Sequence, residues 1–172
     1  EAMAIGRTFQ ESLQKVLRSL ETGRDGLNPI LAPDAPETRL AVLRRELREA
    51  SGERLLYVAD AFREGLEFED IRSLTGIDPW FLAQVEDLVN CEAQVAAGGM
   101  AALNRERLHE LKRKGFSDSR LAALLHSTET DLRELRHRLG VFPVFKRVDT
   151  CAAEFATATA YLYSTYEEEC EA

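Results

Sequence analysis

Few side chains in this sequence are spaced for chemistry, and each candidate has a structural explanation beside it. His109, His126 and His137 fall on different expected helices, without HxxxH or HExxH spacing, so they do not compose a metal motif. Cys91, Cys151 and Cys170 are odd in number, far apart and outside any CxxC arrangement, which argues against a disulfide framework and against a zinc ribbon. Cys151, in DTCAAEF, has no histidine beside it to act as a base; the nearest, His137, lies in the preceding helix, and a small buried thiol is the simpler role. Glu167, Glu168, Glu169 and Glu171 read as a solvated helix end, because paired-carboxylate catalysis needs a cleft. Gly98-Gly99 stands alone, and GxxxxGK[ST] does not occur. No catalytic, cofactor-binding or metal-ligating residue is therefore expected.

Two basic or aromatic groupings remain. Lys112, Arg113 and Lys114 precede Gly115 at an expected helix C-terminus, where cations complement the macrodipole and the free carbonyls; an anion site is the alternative. Asp70 to Leu88, DIRSLTGIDPWFLAQVEDL, has the grammar of a helix-turn-helix. A reader of DNA needs Lys or Arg at the start and flanks of its second helix. No Lys or Arg occurs between Ser73 and Asn104, while Asp78, Glu86, Asp87 and Glu92 do. A later unit carries Arg133, Arg136 and Arg138, but Glu129, Asp131 and Glu134 interleave with them. Helical packing without nucleic acid is the expectation, with a nucleic-acid module as the alternative. Trp80 and Phe81 are expected in the core; if exposed, they would anchor a subunit interface.

The elements that would position these groups are helices. Phe9, Leu13, Val16, Leu17 and Leu20 recur at helical spacing, predicting a first helix with one apolar stripe, closed by Gly23. Gly23, Gly26, Pro29, Pro33 and Pro36 then mark a linker. Asp34 with Glu37 looks like a capping box, and Pro36 suits a first turn. Further apolar patterns end at Gly52, Gly65, Gly76, Gly98, Gly115 and Gly140. No alternating strand pattern appears. The middle repeats weakly at an offset of fifty: Gly65 with Gly115, Ile71 with Leu121, Leu74 with Leu124, Leu82 with Leu132. Shared hairpin grammar and an internal duplication both explain it. The fold class expected is all-α, a single irregular domain of about seven to eight short helices with extended or partly helical terminal segments.

At 172 residues the chain supports one well-buried core. Apolar residues at 45% and charged residues at 30% place it among ordinary globular proteins and exclude disorder. A net charge of −8 opposes non-specific attraction to nucleic acid or anionic membrane. The first residues, EAMAIGRTFQESLQK, lack the basic start and apolar run expected of a signal peptide, no stretch approaches the roughly 20 apolar residues of a membrane span, and with cysteines outside any pairing motif a cytoplasmic location is expected. Phe145 to Glu169 differs from the rest: rich in Ala and Thr, with Tyr161, Tyr163 and Tyr166, it cannot build a core. It is expected to be a strap that packs on a neighbour and is loosely ordered, or borrowed by a partner, in this chain alone.

Four blocks carry a resemblance: AIGRTFQESLQKVLRSLE (Ala4 to Glu21), DPWFLAQVEDLV (Asp78 to Val89), LKRKGFSDSRLA (Leu111 to Ala122) and KRVDTCAAEFATATAYLYSTYEEE (Lys146 to Glu169). In order and over essentially the whole length, the chain resembles the large chain of carbamoyl phosphate synthetase. That resemblance implies residues 1–22 as the end of a first ATP-grasp half, 23–36 as a linker, 37–144 as a helical oligomerisation domain, and 145–172 as the connector into a second ATP-grasp half. It implies a non-catalytic piece of an ATP-dependent ligase that makes carbamoyl phosphate from bicarbonate, glutamine-derived ammonia and ATP for arginine and pyrimidine synthesis. ATP, Mg or Mn, and K would belong to the flanking halves, with none in this stretch. The implied partners are those halves, a small glutaminase subunit and further copies of the chain. A ligase or ATPase activity of this stretch alone is the reading from a third class.

Overall fold

The computed structural model describes residues 2–148, 154 and 161–172, so Cys151 and the middle of the strap lie outside the described residues. Among the described residues there are eight α-helices and one two-stranded hairpin, and the all-α expectation agrees. Two compact units are distinguished: Leu27–Gln94, and Glu1–Gly26 with Val95–Ala172.

The unit Leu27–Gln94 contains α2 (Pro36–Arg48), α3 (Arg54–Arg63), α4 (Phe68–Thr75) and most of α5 (Pro79–Gly98). Leu43, Leu47, Leu56, Val58, Ile71, Leu82, Val85 and Leu88 are buried at helical spacings and form its core. Pro36 occupies the first turn of α2 as expected, but the cap is Ala35, without a side-chain bond, so Asp34 does not form the anticipated capping box. Asp78 starts α5, its Oδ1 accepting the Trp80 amide at 2.8 Å. The proline-rich loop is pinned by buried Asp60, whose Oδ2 accepts the amides of Ile30 and Leu31, each at 2.8 Å. Arg63 bridges Asp60 and Glu92 at 2.7 Å each and also donates to the Leu27 carbonyl.

The second unit contains α1 (Phe9–Ser19), a 3-10 turn (Met100–Ala102), α6 (Arg105–Arg113), α7 (Asp118–Leu124), α8 (Glu129–Arg138), β1 (Val144–Val148) and β2 (Tyr161–Thr165). Its core is Leu103, Leu108, Leu111, Phe116, Leu121, Leu132 and Val141. Asn104, Ser117 and Thr128 cap α6, α7 and α8 through their side-chain oxygens, and Thr128 with Asp131 closes a full capping box. Helix α1 departs from expectation twice. It ends at Ser19, before Gly23, and the side it buries is Gln10, Glu11, Gln14 and Leu17, with Phe9, Leu13 and Val16 half-buried and Leu20 exposed. Hydrophobic period located the helix correctly; polar partners from distant sequence chose its inner face.

The offset of fifty reappears as geometry. Helices α3, α4 and α5 have α6, α7 and α8 as counterparts. The first turns close identically: Gly65 N–H to Phe62 O and Leu66 N–H to Ala61 O (3.1 and 3.0 Å), against Gly115 N–H to Lys112 O and Phe116 N–H to Leu111 O (3.0 and 3.2 Å). This is the glycine-capped helix ending, with φ +77° at Gly65 and +92° at Gly115. The next turn uses Gly76 at φ +65° in one copy and His126 at φ +52° in the other. The copies differ in their surroundings. A Cβ on Gly65 would meet nothing within 4 Å, whereas one on Gly115 would sit 2.8 Å from the Glu11 Cα.

Candidate functional site

Polar side chains converge where α1 meets β2. Thr8 caps α1 by accepting the Glu11 amide at 3.2 Å, which sets the Glu11 carboxylate at the positive end of the helix. That carboxylate is 2% exposed. Its Oε2 accepts the Arg7 amide at 2.7 Å and the Thr165 hydroxyl at 3.1 Å, while Oε1 pairs with Lys15 at 2.8 Å. The Lys15 ammonium also donates to Ile5 O at 2.9 Å and Ser164 O at 2.5 Å, and lies 5.8 Å from the centre of the Tyr163 ring. A hydrogen bond to Tyr163 holds the Arg7 guanidinium above its ordinary pKa.

The strap reading needs correction on its described parts. Val144–Val148 and Tyr161–Thr165 pair antiparallel, Val144 opposite Thr165 and Val148 opposite Tyr161, so strands form where no alternation was read. Thr165 is 2% exposed against α1, and Tyr166 is half-buried with the Lys112 ammonium 5.2 Å from its ring centre. These ends are therefore folded onto the chain's own helices. Small residues and tyrosines still explain the packing, but the neighbour is α1 and α6.

The basic cluster is likewise internal. Lys112 is buried and donates to Phe116 O and Asp118 Oδ1, both at 2.7 Å. Arg136 completes the set, bonding Asp118 Oδ2 at 3.0 Å and Val141 O at 3.0 Å. Burial lowers the Lys112 pKa. Burial alone would raise that of Asp118, but the charges and hydrogen bonds of Lys112 and Arg136 outweigh it and hold the carboxyl below its ordinary value. Arg113 pairs with Glu167 at 3.2 Å and Lys114 with Glu110 at 3.7 Å. Each of the three cations thus has a carboxylate of the chain itself, and Lys112 also serves the Phe116 carbonyl just beyond the end of α6.

A cavity of about 850 Å³ lies in the same unit. Its lining alternates Arg105, Arg113 and Lys114 with Glu106, Glu110, Glu167 and Glu168, beside His109 and Phe142. Burial and the neighbouring Arg113 and Arg105 lower the His109 pKa. His126 and His137 are exposed, with His137 stacked on Phe142 at 5.2 Å. Among the described residues no three or more His, Cys, Asp or Glu side chains are grouped to hold a metal. Cys91 is buried and Cys170 exposed. No helix among the described residues is long and apolar enough to cross a membrane.

Trp80 and Phe81 contradict their expected core role. They are 54% and 43% exposed, edge-to-face at 5.0 Å on the first turn of α5. Of the three arginines in the second helix-turn-helix unit, Arg133 pairs with Glu129 and Arg136 is buried on Asp118. Glu11, Lys15 and Thr165 were missed as a group. The Thr8-x-x-Glu11 box is legible in sequence, but it announces a cap; a partner such as Thr165, 154 residues from Glu11, leaves no local trace.

Comparison with known proteins places this geometry. The family described as carbamoyl-phosphate synthetase large chain, oligomerisation domain, matches residues 1–140. Carbamoyl phosphate synthase large chains from Pseudomonas syringae pv. tomato, Pseudomonas aeruginosa and Vibrio cholerae are 61%, 60% and 56% identical over all 172 residues. The chain spans 16% of the length of each of these relatives. The family match over residues 1–140 and identity at this level over the whole chain lead to one conclusion: the chain belongs to the oligomerisation-domain family of the carbamoyl-phosphate synthetase large chain.

Proposed function

We propose that the chain is a non-catalytic connector and association module of a carbamoyl phosphate synthase large chain. In this reading residues 1–22 close a first ATP-grasp half, 23–36 are a linker, 37–144 are the oligomerisation domain, and 145–172 lead into a second ATP-grasp half. The parent enzyme is a cytoplasmic ligase that makes carbamoyl phosphate from bicarbonate, glutamine-derived ammonia and ATP. ATP, Mg or Mn, and K belong to its ATP-grasp halves. Catalytic, cofactor and metal residues are assigned to none of the positions in this stretch. The partners are the two flanking halves, the small glutaminase subunit and further copies of the chain, with neither nucleic acid nor membrane among them.

One observation carries the reading: among the described residues, the large apolar side chains left exposed fall in the terminal segments and on the first turn of α5. Met3, Ile5 and Leu20 are exposed around α1, Phe142, Phe145, Tyr161 and Leu162 around the hairpin, and Trp80 with Phe81 on α5. Exposed apolar clusters mark surfaces that another body covers. The acidic run along α5, and the engagement of Arg133 and Arg136 with carboxylates, favour this over a nucleic-acid module.

Sedimentation of the isolated chain over a concentration series tests the association. A concentration-dependent rise in mass is expected, weakened by Trp80→Ala. A strict monomer at high concentration counts against the association, and ATP turnover by the isolated chain counts against the non-catalytic assignment.

A further inference from the structure

We infer that Glu11, Lys15 and Thr165 form a clasp through which the segment from Ile5 to Thr8 and strand β2 open and close together, so that displacing either segment is felt by the other. The argument lies in shared atoms. Glu11 Oε2 accepts the Arg7 amide from the first segment and the Thr165 hydroxyl from β2. Lys15 Nζ donates to Ile5 O in the first segment and to Ser164 O in β2. Each charged group therefore holds both segments at once, and the two groups are paired with each other at 2.8 Å.

Removing β2 would take from the buried carboxylate one of its donors and from the ammonium one of its carbonyls. The part-buried bond from Glu11 to Arg7 would then be left facing water, and Lys15, whose bond to Ile5 is already exposed, would lose the second carbonyl that fixes its ammonium in place. Charge-assisted bonds at a desolvated site lose most when one partner departs. Two independent ties, each with its own acceptor, would not transmit anything; a common acceptor does. Arg7 and Tyr163 add a further link between the same two segments. For its consequence the inference rests on the connector reading, in which these segments lead toward the two flanking halves. The clasp would then tie the position of one half to that of the other.

Amide hydrogen exchange on the full-length large chain, followed by mass spectrometry, tests the clasp through a crossed readout. Thr165→Val is expected to accelerate exchange about tenfold at residues 4–8, far from the substitution in sequence, as well as in β2. Thr165→Ser, which keeps the hydroxyl, is expected to restore protection at both. Glu11→Gln is expected to accelerate both segments by a similar factor. Acceleration confined to β2 in Thr165→Val overturns the inference, and so does protection at residues 4–8 that Thr165→Ser fails to restore. If Glu11→Gln does not fold, the threonine pair decides alone. Exchange reports the clasp whether or not the chain self-associates, so failure here and failure in sedimentation identify different errors.

Discussion

Gly65 and Gly115 occupy equivalent turns fifty residues apart, which makes the pair Gly65→Ala and Gly115→Ala an internally controlled experiment. Both positions have positive φ, +77° and +92°, so an alanine at either incurs about 1–2 kcal/mol of left-handed strain. Alanine also narrows the unfolded ensemble by about 1 kcal/mol or less, equally in both variants. The difference lies in the space. At Gly65 a methyl enters open solvent; at Gly115 it would lie 2.8 Å from Glu11 Cα, 3.1 Å from Gln14 Cβ and 3.1 Å from Glu11 O. Those neighbours are mostly backbone of α1, which cannot rotate aside. The helix must move, straining the bonds from Gln14 to Lys114 O (3.0 Å) and from Arg18 to Gly115 O (2.6 Å). Overpacking of this kind adds about 1–3 kcal/mol.

Gly65→Ala is therefore expected to cost about 1 kcal/mol and Gly115→Ala about 3 kcal/mol. In thermal unfolding monitored by circular dichroism, that is a fall in Tm of roughly 3 °C against roughly 9 °C. Because the two glycines lie in different compact units, tryptophan fluorescence from Trp80, in the Gly65 unit, should report Gly65→Ala more than Gly115→Ala if the units melt separately. Equal destabilisation by the two variants, or a larger loss at Gly65, would refute the argument that α1 occupies the Gly115 turn.

Three further outcomes are expected. Asp118→Asn leaves Lys112 and Arg136 buried without their shared carboxylate and should cost up to about 3 kcal/mol near neutral pH. Because the folded Asp118 pKa is depressed, its stabilisation is present above the ordinary carboxylate value near 4 and is lost as pH falls through the folded value. Urea unfolding of wild type and variant should therefore converge in acid, and a constant gap between them would exclude this assignment. Asp60→Ala unseats the amides of Ile30 and Leu31 and takes from Arg63 one of its two carboxylates; limited proteolysis should then cut the loop between Leu27 and Ala35 faster, with unchanged cutting as the adverse result. Thr128→Ala removes the side-chain half of the α8 capping box while the backbone amide of residue 128 still reaches Asp131, and should cost about 1 kcal/mol in denaturant unfolding, which Thr128→Ser should largely recover.

How much of this was legible depends on the range over which each element is determined. The helices of the body were readable because period, glycine endings and residues such as Asp78 act within a turn or two. The repeat was readable for the same reason, down to the Gly65 and Gly115 turns. What escaped depends on distant partners. The strands β1 and β2 alternate weakly by side chain and exist through pairing with each other, and the inner face of α1 is polar because Lys114, Gly115 and Thr165 supply its bonds. Trp80 and Phe81 were assigned inward on residue type, and exposure is a property of the neighbours, which sequence alone does not list. The absence of motif spacing in the histidines and cysteines was legible, whereas the Glu11 node was hidden inside an ordinary-looking cap.

The polar inner face of α1 bears on the order in which the chain can assemble during synthesis. Leu27–Gln94 is continuous, so that unit has all its residues once they have left the ribosome. Helix α1 emerges earlier but waits for Lys114 and then for Thr165, a lag of 154 residues from Glu11, or roughly 10–30 s at ordinary translation rates. A helix whose docking face was wholly apolar would spend that interval as a sticky surface beside other nascent chains. With Gln10, Glu11 and Gln14 on that face, the waiting helix keeps one side compatible with water and still finds a specific seat when its partners arrive.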